Sequence, residues 1–186
     1  NSLGDVKGAE PLVRDALAIR RKHGEKDTRK MANLYNSLAI VLDKQGRQVE
    51  ADAAFAEALA IRRRRLPSDE AQYASDLKNY AVALAKRRRF ADAEASYREA
   101  IAIMRRVYPQ GHRDLTRALG SFAVLRREQG DFSESERLFV EALDGGRRLL
   151  GPRHPEVTLL LNNYATFLWV RGRFAEAEAA LREPRR

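Results

Sequence analysis

Histidine is the side chain in this sequence best suited to acid–base or nucleophilic chemistry, and it occurs three times, as His23, His112 and His154. Hydrolysis by a serine nucleophile needs a histidine and a carboxylate beside the hydroxyl in one pocket. His112 and His154 lie 42 residues apart, each directly before a segment with helical spacing. That position is typical of a residue that caps a helix. The histidines therefore predict no catalytic centre, and their separation gives no local metal-binding motif.

Carboxylates and glycines give no stronger indication of an enzyme. The pairs Glu134 and Glu136, and Glu176 and Glu178, lie at the start of segments with helical spacing, where the helix dipole favours acidic side chains. No glycine-rich loop with either standard phosphate-binding spacing occurs. The chain has no cysteine, which excludes disulfides, thiolate nucleophiles and thiolate-bound zinc. The sequence thus predicts a protein without enzymatic activity, cofactor or metal.

Arginine and lysine form the most visible pattern, since 35 basic residues against 26 acidic ones give a net charge of +9. Most basic clusters end helical segments, where each cation gains about 0.3–1 kcal/mol from the helix dipole. The alternative is a basic ridge, repeated every 42 residues, that binds nucleic acid or another polyanion through salt-sensitive contacts. Nearly all aromatic residues lie on the predicted core stripe, so nucleic acid is the less favoured interpretation. The clusters are residues 20–22, 62–65, 86–89, 105–106, 126–127 and 147–148.

The apolar stretches are too short to cross a membrane as a helix. A spanning helix needs roughly 20 consecutive apolar residues, whereas the richest stretch, residues 157–170, is interrupted by Asn162 and Asn163. The first residues contain neither an apolar signal core nor an initiating methionine, which is typical of a fragment start rather than of a targeting segment. We expect a cytoplasmic protein that does not act in a membrane.

The elements that position these residues come from an internal repeat of 42 residues, which runs through the sequence without insertion or deletion. Successive repeats place Gly4, Gly46, Arg88, Gly130 and Gly172 in one register. After this turn position come a small residue, an aromatic or aliphatic residue and a second small residue, at helical intervals. Such spacing forms one buried stripe along a helix. Neighbouring repeats must stack to bury these stripes, which predicts a solenoid.

Each repeat is predicted to hold a helix A, a tight turn, a helix B and a loop. Proline residues between a helix B and the next helix A agree with this division, because proline is poorly tolerated inside helices. Gly145 and Gly146 fall inside a helix B and each costs ~1 kcal/mol there, so this helix is expected to kink or to end early. The predicted A helices are residues 29–45, 71–87, 113–129 and 155–171, and the predicted B helices are residues 5–22, 47–65, 90–107, 132–149 and 174–183.

Three segments of the last repeat resemble tetratricopeptide repeats (TPRs), in the 42-residue form of kinesin light chains and of many bacterial multidomain proteins. They are Arg-His-Pro-Glu-Val at 153–157, Leu-Asn-Asn-Tyr-Ala at 161–165 and Gly-Arg-Phe-Ala-Glu-Ala-Glu at 172–178. The resemblance covers nearly the whole chain. It implies an all-α, right-handed superhelix of antiparallel helix pairs that acts as a non-catalytic protein-interaction scaffold. We expect one domain over residues 1–186, with a lone helix B at 5–22 and repeats at about 29–65, 71–107, 113–149 and 155–183.

In TPR proteins the A helices line a concave groove that binds peptides, and the resemblance implies which residues line it here. Asn79 and Asn163 match the family's groove asparagine, whose amide both donates to and accepts from a peptide backbone. Ser37 and Ser121 replace this asparagine in the other two repeats. The expected peptide-binding residues are Asn36, Ser37, Lys78, Asn79, Arg117, Ser121, Arg127, Asn162, Asn163 and Trp169.

Charged and aromatic groove residues indicate the kind of ligand. Lys78, Arg117 and Arg127 are expected to select acidic side chains, and Trp169 is expected either to anchor an apolar side chain or to cover the last helix. The implied partner is a protein or peptide. Two alternatives stay open: binding of nucleic acid or another polyanion by the arginine-rich helix ends, and service as a regulatory or assembly segment of a larger bacterial signalling protein.

Apolar residues at the two ends of the chain suggest a second kind of contact. Neither end is a polar capping helix, although solenoids generally need one. Leu12, Leu17 and Ile19 at one end, and Phe174 and Leu181 at the other, are therefore expected to leave apolar surface open. Such patches commonly mark interfaces. The sequence thus predicts either self-association through the ends or a chain cut from a larger protein.

Overall fold

The structure is a computed structural model that describes the backbone of residues 2–182 and the side chains of residues 8–182. Within those limits the chain consists of nine α-helices and has no β-strand, so the expected all-α class is confirmed. The observed boundaries agree closely with the predicted ones, except that the first helix begins earlier and residue 183 lies outside the described residues. The helices are α1 (Ser2–Lys22), α2 (Arg29–Lys44), α3 (Gln48–Arg64), α4 (Glu70–Lys86), α5 (Phe90–Val107), α6 (Arg113–Glu128), α7 (Phe132–Leu150), α8 (Pro155–Val170) and α9 (Phe174–Arg182).

These helices group into two compact units. The first comprises residues 1–89 with helices α1 to α4, and the second comprises residues 90–186 with helices α5 to α9. In the first unit α2 and α3 form a closely packed pair that also contacts α1 and α4. In the second unit α6 pairs with α7 and α8 pairs with α9, while α5 packs on α6 and α7 packs on α8. One continuous domain over residues 1–186 stays a prediction.

Small residues let α2 and α3 approach each other closely. Ala39, Ala51 and Ala58 are completely buried, and the buried Phe55 fills the space beside them. The Phe55 ring centroid lies 5.0 Å from that of Tyr80 on α4, within the range of favourable aromatic contacts. The stripe of small and aromatic residues that the repeat defines is therefore the core of this unit.

The turn position of the repeat has a left-handed backbone. Gly46, Gly130 and Gly172 have φ angles of 76°, 81° and 74°, and Arg88 in the same register has a φ of 58°. Glycine adopts this conformation without steric cost, whereas other residues adopt it rarely. The predicted tight turn is thus present at each of these positions, with Arg88 in the least favourable case.

The two later histidines cap helices, as their positions in the sequence predict. The Nδ1 atom of His112 accepts from the backbone N–H of Asp114 at 3.1 Å, and that of His154 accepts from Glu156 at 3.2 Å. Each bond satisfies a donor that the first turn of a helix otherwise leaves unpaired. The imidazole of His112 also stacks on Tyr108, with ring centroids 4.0 Å apart. These contacts account for both side chains by helix capping and loop packing.

The glycine pair in α7 does not end the helix, and the expectation of an early end is wrong. Helix α7 runs through Gly145 and Gly146 to Leu150. A Cβ atom on Gly146 would lie 3.2 Å from Val157 Cγ2 and 3.3 Å from Thr116 Cγ2. The missing side chain therefore allows close packing of neighbouring helices, which compensates for the low helix propensity of glycine.

Candidate peptide-binding faces

In the first unit, two expected groove residues lie on accessible faces of helices α2 and α4. Ser37 on α2 is exposed and Asn79 on α4 is half-buried. Within the described part of the chain, the Asn79 amide makes no hydrogen bond. Both its N–H groups and its carbonyl oxygen are thus available to a ligand. The exposed Asn33 differs, because its Oδ1 atom accepts from Arg62 Nη2.

In the second unit, the same register places Ser121 on α6 and Asn163 on α8. Asn163 is half-buried and, among the described residues, its amide also has no hydrogen-bond partner. Ser121 forms a hydrogen bond with the hydroxyl of Tyr97. Burial raises the pKa of that hydroxyl well above its ordinary value. Arg117, one helical turn before Ser121, is exposed and lies 3.9 Å from Glu156. This face therefore offers one free amide and one accessible cation.

One expected groove row lies largely against neighbouring helices in this structure, and its assignment to the groove stays a prediction. The row contains Gly120, where a Cβ atom would overlap Leu160 Cδ2 of the next A helix. In the same register Lys78 is only 7% exposed, and Asn36 has a buried Oδ1 atom without a hydrogen-bond partner. Asn162 is exposed. A shift of one residue turns a side chain by about 100° around a helix, which separates this row from Asn79 and Asn163.

Two expected groove residues near the turn, Arg127 and Trp169, differ in how far they are exposed. Arg127 on α6 is half-buried. Trp169 on α8 is 64% exposed, and its ring meets that of Phe174 edge-on at 6.1 Å. It lines a cavity of about 520 Å³ between α8 and α9 together with Asn162 and Leu181. Trp169 and Asn162 thus belong to a surface at the last helix pair, separate from the Asn163 face.

Sequence reasoning missed a buried ionic cluster in the first unit. The Arg62 side chain is almost completely buried. Its Nε atom donates to Asp76 Oδ2 at 3.1 Å, its Nη1 atom donates to Asp69 Oδ2 at 3.2 Å, and its Nη2 atom donates to Asn33. The available signal is register, since Arg62 occupies the position of Met104 in the next repeat. Because Arg62 lies in the basic run 62–65, the sequence alone does not show that its side chain is buried.

The two carboxylates of this cluster differ in their pKa values. Burial raises the pKa of Asp76 from 3.8 to about 6, although Arg62 and Lys78 act in the opposite direction. Burial also acts to raise the pKa of Asp69, but hydrogen bonds from three arginines outweigh it and leave that pKa below its ordinary value. The cluster has ionisable groups, yet these are satisfied by each other rather than presented to a substrate.

Many arginines, in the basic clusters and outside them, form ion pairs within their own unit. Arg98 and Arg105 on α5 donate to Glu134 and Glu141 on α7, at 2.9 and 2.8 Å. Arg87 bridges Asp43 and Asp52 in the first unit, at 2.6 Å each. These pairs give the three arginines a structural role within their units. The structural explanation of the basic pattern is thereby favoured over a nucleic-acid ridge.

Neither a metal site nor a membrane span is found in the described chain. Between residues 8 and 182, no group of three or more His, Asp or Glu side chains is placed to hold a metal ion. No helix that the structure describes has the length and apolar character needed to cross a membrane.

The sequence matches one family model along most of its length. The tetratricopeptide repeat model matches residues 1–64, 69–145 and 114–183. No curated protein sequence matches the chain significantly.

Solved structures with the same fold include kinesin-light-chain-like proteins. The structure of BtubC (BKLC) from P. vanneervenii superposes with a TM-score of 0.84 and 24% identity, covering 99% of this chain and 73% of that one. A kinesin-light-chain-like protein of Podosopora anserina with nearly identical TPR-like repeats gives a TM-score of 0.79 and 19% identity, covering 99% of this chain and 87% of that one. A single-residue variant of that fungal protein gives 0.81 at 19% identity, with coverage of 99% and 87%. At these identities the likeness establishes the fold alone.

Proposed function

Because the chain belongs to the tetratricopeptide repeat family, whose members are in general protein-interaction scaffolds, we propose that it binds a peptide segment of a partner protein on the accessible faces of its A helices and has no catalytic role. The observation that carries the proposal is the pair Asn79 and Asn163, which stand two repeats apart in one register. Each amide is half-exposed and, among the described residues, without a partner.

An asparagine amide is suited to this task because it donates to a peptide carbonyl and accepts from a peptide N–H at once. This recognition reads the backbone and tolerates different side chains. Arg117 adds a preference for acidic residues on the second unit, and Arg127 is a weaker candidate because it is half-buried. The buried Lys78 is left out of this role.

The test uses peptides selected from a phage-displayed library of short sequences against the intact chain. The double variant Asn79→Ala and Asn163→Ala is expected to lower their affinity by about 10- to 100-fold, because each lost hydrogen bond contributes about 0.5–1.5 kcal/mol. Fluorescence anisotropy with a labelled peptide measures the affinity. Circular dichroism should show unchanged helicity, since both side chains are only half-buried.

Gln110→Ala is the matched control, because Gln110 carries a similar exposed amide on the loop between α5 and α6. It should bind the peptides as the unchanged chain does. If the double variant keeps full affinity, the A-helix faces are not the binding site.

Polyanion binding is the alternative, and it makes a different prediction. A single-stranded oligonucleotide bound through several arginines would lose affinity steeply as the salt concentration rises. The asparagine substitutions would leave its affinity unchanged. The ion pairs of Arg98, Arg105 and Arg87 are evidence against polyanion binding. A cytoplasmic setting and service within a larger bacterial signalling protein stay predictions.

Self-association through the two ends of the chain stays a prediction, and helix α1 bears on one of these ends. Leu12 and Ile19 on α1 are 71% and 59% exposed, but the expectation for Leu17 is wrong, since Leu17 is 4% exposed. The residues at the registers of Leu12 and Ile19 in α3 and α7, which are Ala54, Ile61 and Leu138, are buried. Light scattering over a range of chain concentrations tests this expectation. A monomer mass at every concentration would refute it.

A further inference from the structure

A cavity of about 350 Å³ lies between helices α1, α2 and α3 of the first unit. Its volume is within the range of small-molecule sites, about 300–1,000 Å³. Two of its three walls are B helices, whereas Asn79 and Asn163 lie on A helices, so the cavity is separate from the proposed peptide-binding faces. We call it the α1–α3 cleft. Its apolar floor includes Leu17, Leu38, Leu42 and Ala54.

The rim of the cleft carries two arginines and two glutamates. The same residue types recur two repeats later, where α5, α6 and α7 of the second unit take the places of α1, α2 and α3. The second unit therefore shows how the repeat normally closes this place. The rim residues are Arg14, Arg21, Glu50 and Glu57, and their counterparts are Arg98, Arg105, Glu134 and Glu141.

In the second unit, charged and apolar side chains close the place completely. Arg105 Nη2 donates to both carboxylate oxygens of Glu141 at 2.8 Å. The Arg98 guanidinium lies 5.2 Å above the Phe122 ring, and both Phe122 and Leu138 are 2% exposed. These ionic and cation–π contacts join α5, α6 and α7 alone, so closure needs no helix of a neighbouring repeat.

Smaller side chains leave the corresponding space open in the first unit. Ala54 stands at the register of Leu138, and Leu38 stands at the register of Phe122. Both smaller residues line the α1–α3 cleft. The cleft is therefore a deficit of side-chain volume inside the repeat, with all three of its walls present.

Two rim ions of the cleft are also left without an opposite charge. Tyr35 stands at the register of Leu119, and its hydroxyl accepts a hydrogen bond from Arg21 Nη2. Among the described residues, no carboxylate pairs with Arg21, and the exposed Glu57 carboxylate has no partner. The tyrosine hydroxyl thus takes the place of the ion pair that closes the second unit.

The other two rim residues are already neutralised. Arg14 donates to Glu10 at 2.9 Å and to Glu50 at 3.2 Å. Arg47 Nε donates to Glu50 at 2.7 Å. The charges open to a ligand are therefore one cation, Arg21, and one anion, Glu57, beside an apolar floor.

These groups are complementary to a small zwitterion with an apolar body. We propose that the α1–α3 cleft binds a free amino acid with an apolar side chain, its carboxylate on Arg21, its ammonium on Glu57 and its side chain against Ala54 and the floor. The counterparts of Arg21 and Glu57 meet directly in the second unit, so one small molecule can span both positions.

Other occupants satisfy fewer of these groups. A polyanion or an acidic peptide would bring negative charge onto Glu57, and like charges disfavour a contact. An apolar helix laid over the cleft would bury Arg21 and Glu57 without partners, which is costly for both ions. The amino acid satisfies both charges and fills the apolar space.

The probe is free L-leucine, because a leucine, Leu138, holds the register of Ala54 in the second unit. Nitrogen-15 NMR of the intact chain follows the backbone amide signals of Ala53 and Glu57 while leucine is added. Both signals should shift and saturate, with a dissociation constant of about 0.1–1 mM for so small a ligand. N-acetyl-leucine amide has the same side chain but neither charge, and should bind at least about tenfold more weakly.

Variants of the two rim ions then locate the site, and both side chains are exposed enough to change without loss of the fold. Glu57→Gln should bind leucine about tenfold more weakly, because it loses a charged hydrogen-bond acceptor. Glu141→Gln is the matched control, since Glu141 has the same register but is held by Arg105. Arg21→Gln should weaken leucine about tenfold and leave the affinity for leucine amide, which has no carboxylate, nearly unchanged.

A filling variant tests the cavity itself. Ala54→Leu introduces the residue that the second unit has in this register, and it should abolish leucine binding. Circular dichroism should show unchanged helicity, as expected for a side chain that the repeat already accommodates. The rim variants test the site independently of this change in packing.

Three outcomes would overturn the proposal. The first is no saturable shift up to about 10 mM leucine. The second is binding that Glu57→Gln leaves unchanged, which would place leucine elsewhere. The third is equal affinity for leucine and its neutral analogue, which would show that the rim ions recognise nothing. The chain with Asn79→Ala and Asn163→Ala should bind leucine normally, so failure here is distinct from failure of the proposed function.

Discussion

The α3–α4 contact of the first unit and the α7–α8 contact of the second unit occupy the same place in the repeat, but opposite chemistry closes them. In the first contact the buried Arg62 pairs with Asp69 and Asp76. In the second contact, Gly146 at the register of Arg62 lies against Val157 and Leu160. A fixed repeat length thus keeps the helices in register while the residues between them change completely.

The two contacts should respond differently to substitution. Apolar packing loses stability in proportion to the volume and surface removed. A buried ion pair has already lost its hydration, so removal of one partner leaves an uncompensated charge. The ionic contact should therefore be the more fragile to single changes, and the apolar contact the more sensitive to added volume.

The largest effect is expected for Arg62→Met, the residue that the next repeat has in this register. It leaves Asp76 buried without its guanidinium and should lower the free energy of unfolding by about 3–5 kcal/mol. Urea denaturation followed by circular dichroism measures the change. Arg63→Met is the control, since Arg63 is exposed and should change stability by no more than about 0.5 kcal/mol.

The double variant Arg62→Met and Asp76→Leu sharpens this prediction, because it replaces the Arg62–Asp76 pair by apolar side chains while Arg29 and Arg65 still donate to Asp69. It should recover most of the loss, as replacement of a buried ion pair by apolar residues of similar size is often neutral. A double variant no more stable than Arg62→Met would show that the ionic chemistry itself is required there.

A smaller effect is expected from pH. Since burial raises the pKa of Asp76 from 3.8 to about 6, the folded chain holds a proton that the unfolded chain has lost between these values. The contribution of Asp76 to stability is therefore present at low pH and is lost as pH rises through about 6, by about 3 kcal/mol. Asp69, whose pKa is lowered, acts in the opposite direction on acidification.

Urea denaturation of the unchanged chain and of Asp76→Asn at pH 4.5 and 7 isolates this contribution. The unchanged chain should lose stability relative to the variant at the higher pH. A difference between the two chains that stays constant with pH would contradict the role of Asp76.

In the second unit, Gly120→Ala is expected to lower the free energy of unfolding by up to about 2 kcal/mol. The added methyl group overlaps Leu160, and overpacking of a core typically costs about 1–3 kcal/mol, against a gain in helix propensity of about 1 kcal/mol. Gly145→Ala has more room, with its nearest neighbour at 3.4 Å, and should be neutral or stabilising. Thermal denaturation of both variants measures the contrast, and equal losses would show that close approach at Gly120 is unimportant.

The smallest effect is expected for the exposed pair Arg105 and Glu141, which are 46% and 37% exposed. Glu141→Gln should cost about 0.2–1 kcal/mol at low salt and less at high salt, because dissolved ions screen surface charges. Denaturation at two salt concentrations measures this cost. A loss as large as that of Arg62→Met would contradict the distinction between buried and exposed pairs.

The sequence predicts the helices closely because the repeat shows each boundary several times. It misplaces Arg62 because that residue stands in a run of exposed arginines, and burial is a tertiary property. It misjudges Gly146 because helix propensity alone ignores the packing of Val157. The sequence does not show the burial of Lys78 and of the Asn36 Oδ1 atom, because both polar rows look alike, although Gly120 in the row of Lys78 is an available sign of close approach.

The most direct test of the scaffold account follows the side-chain amides of Asn79 and Asn163 by nitrogen-15 NMR while a selected peptide is added. The account predicts that the amide signal of each face that binds the peptide shifts and saturates with the affinity measured by anisotropy, because that amide bonds to the peptide backbone. Saturable peptide binding that leaves both signals in place would contradict it.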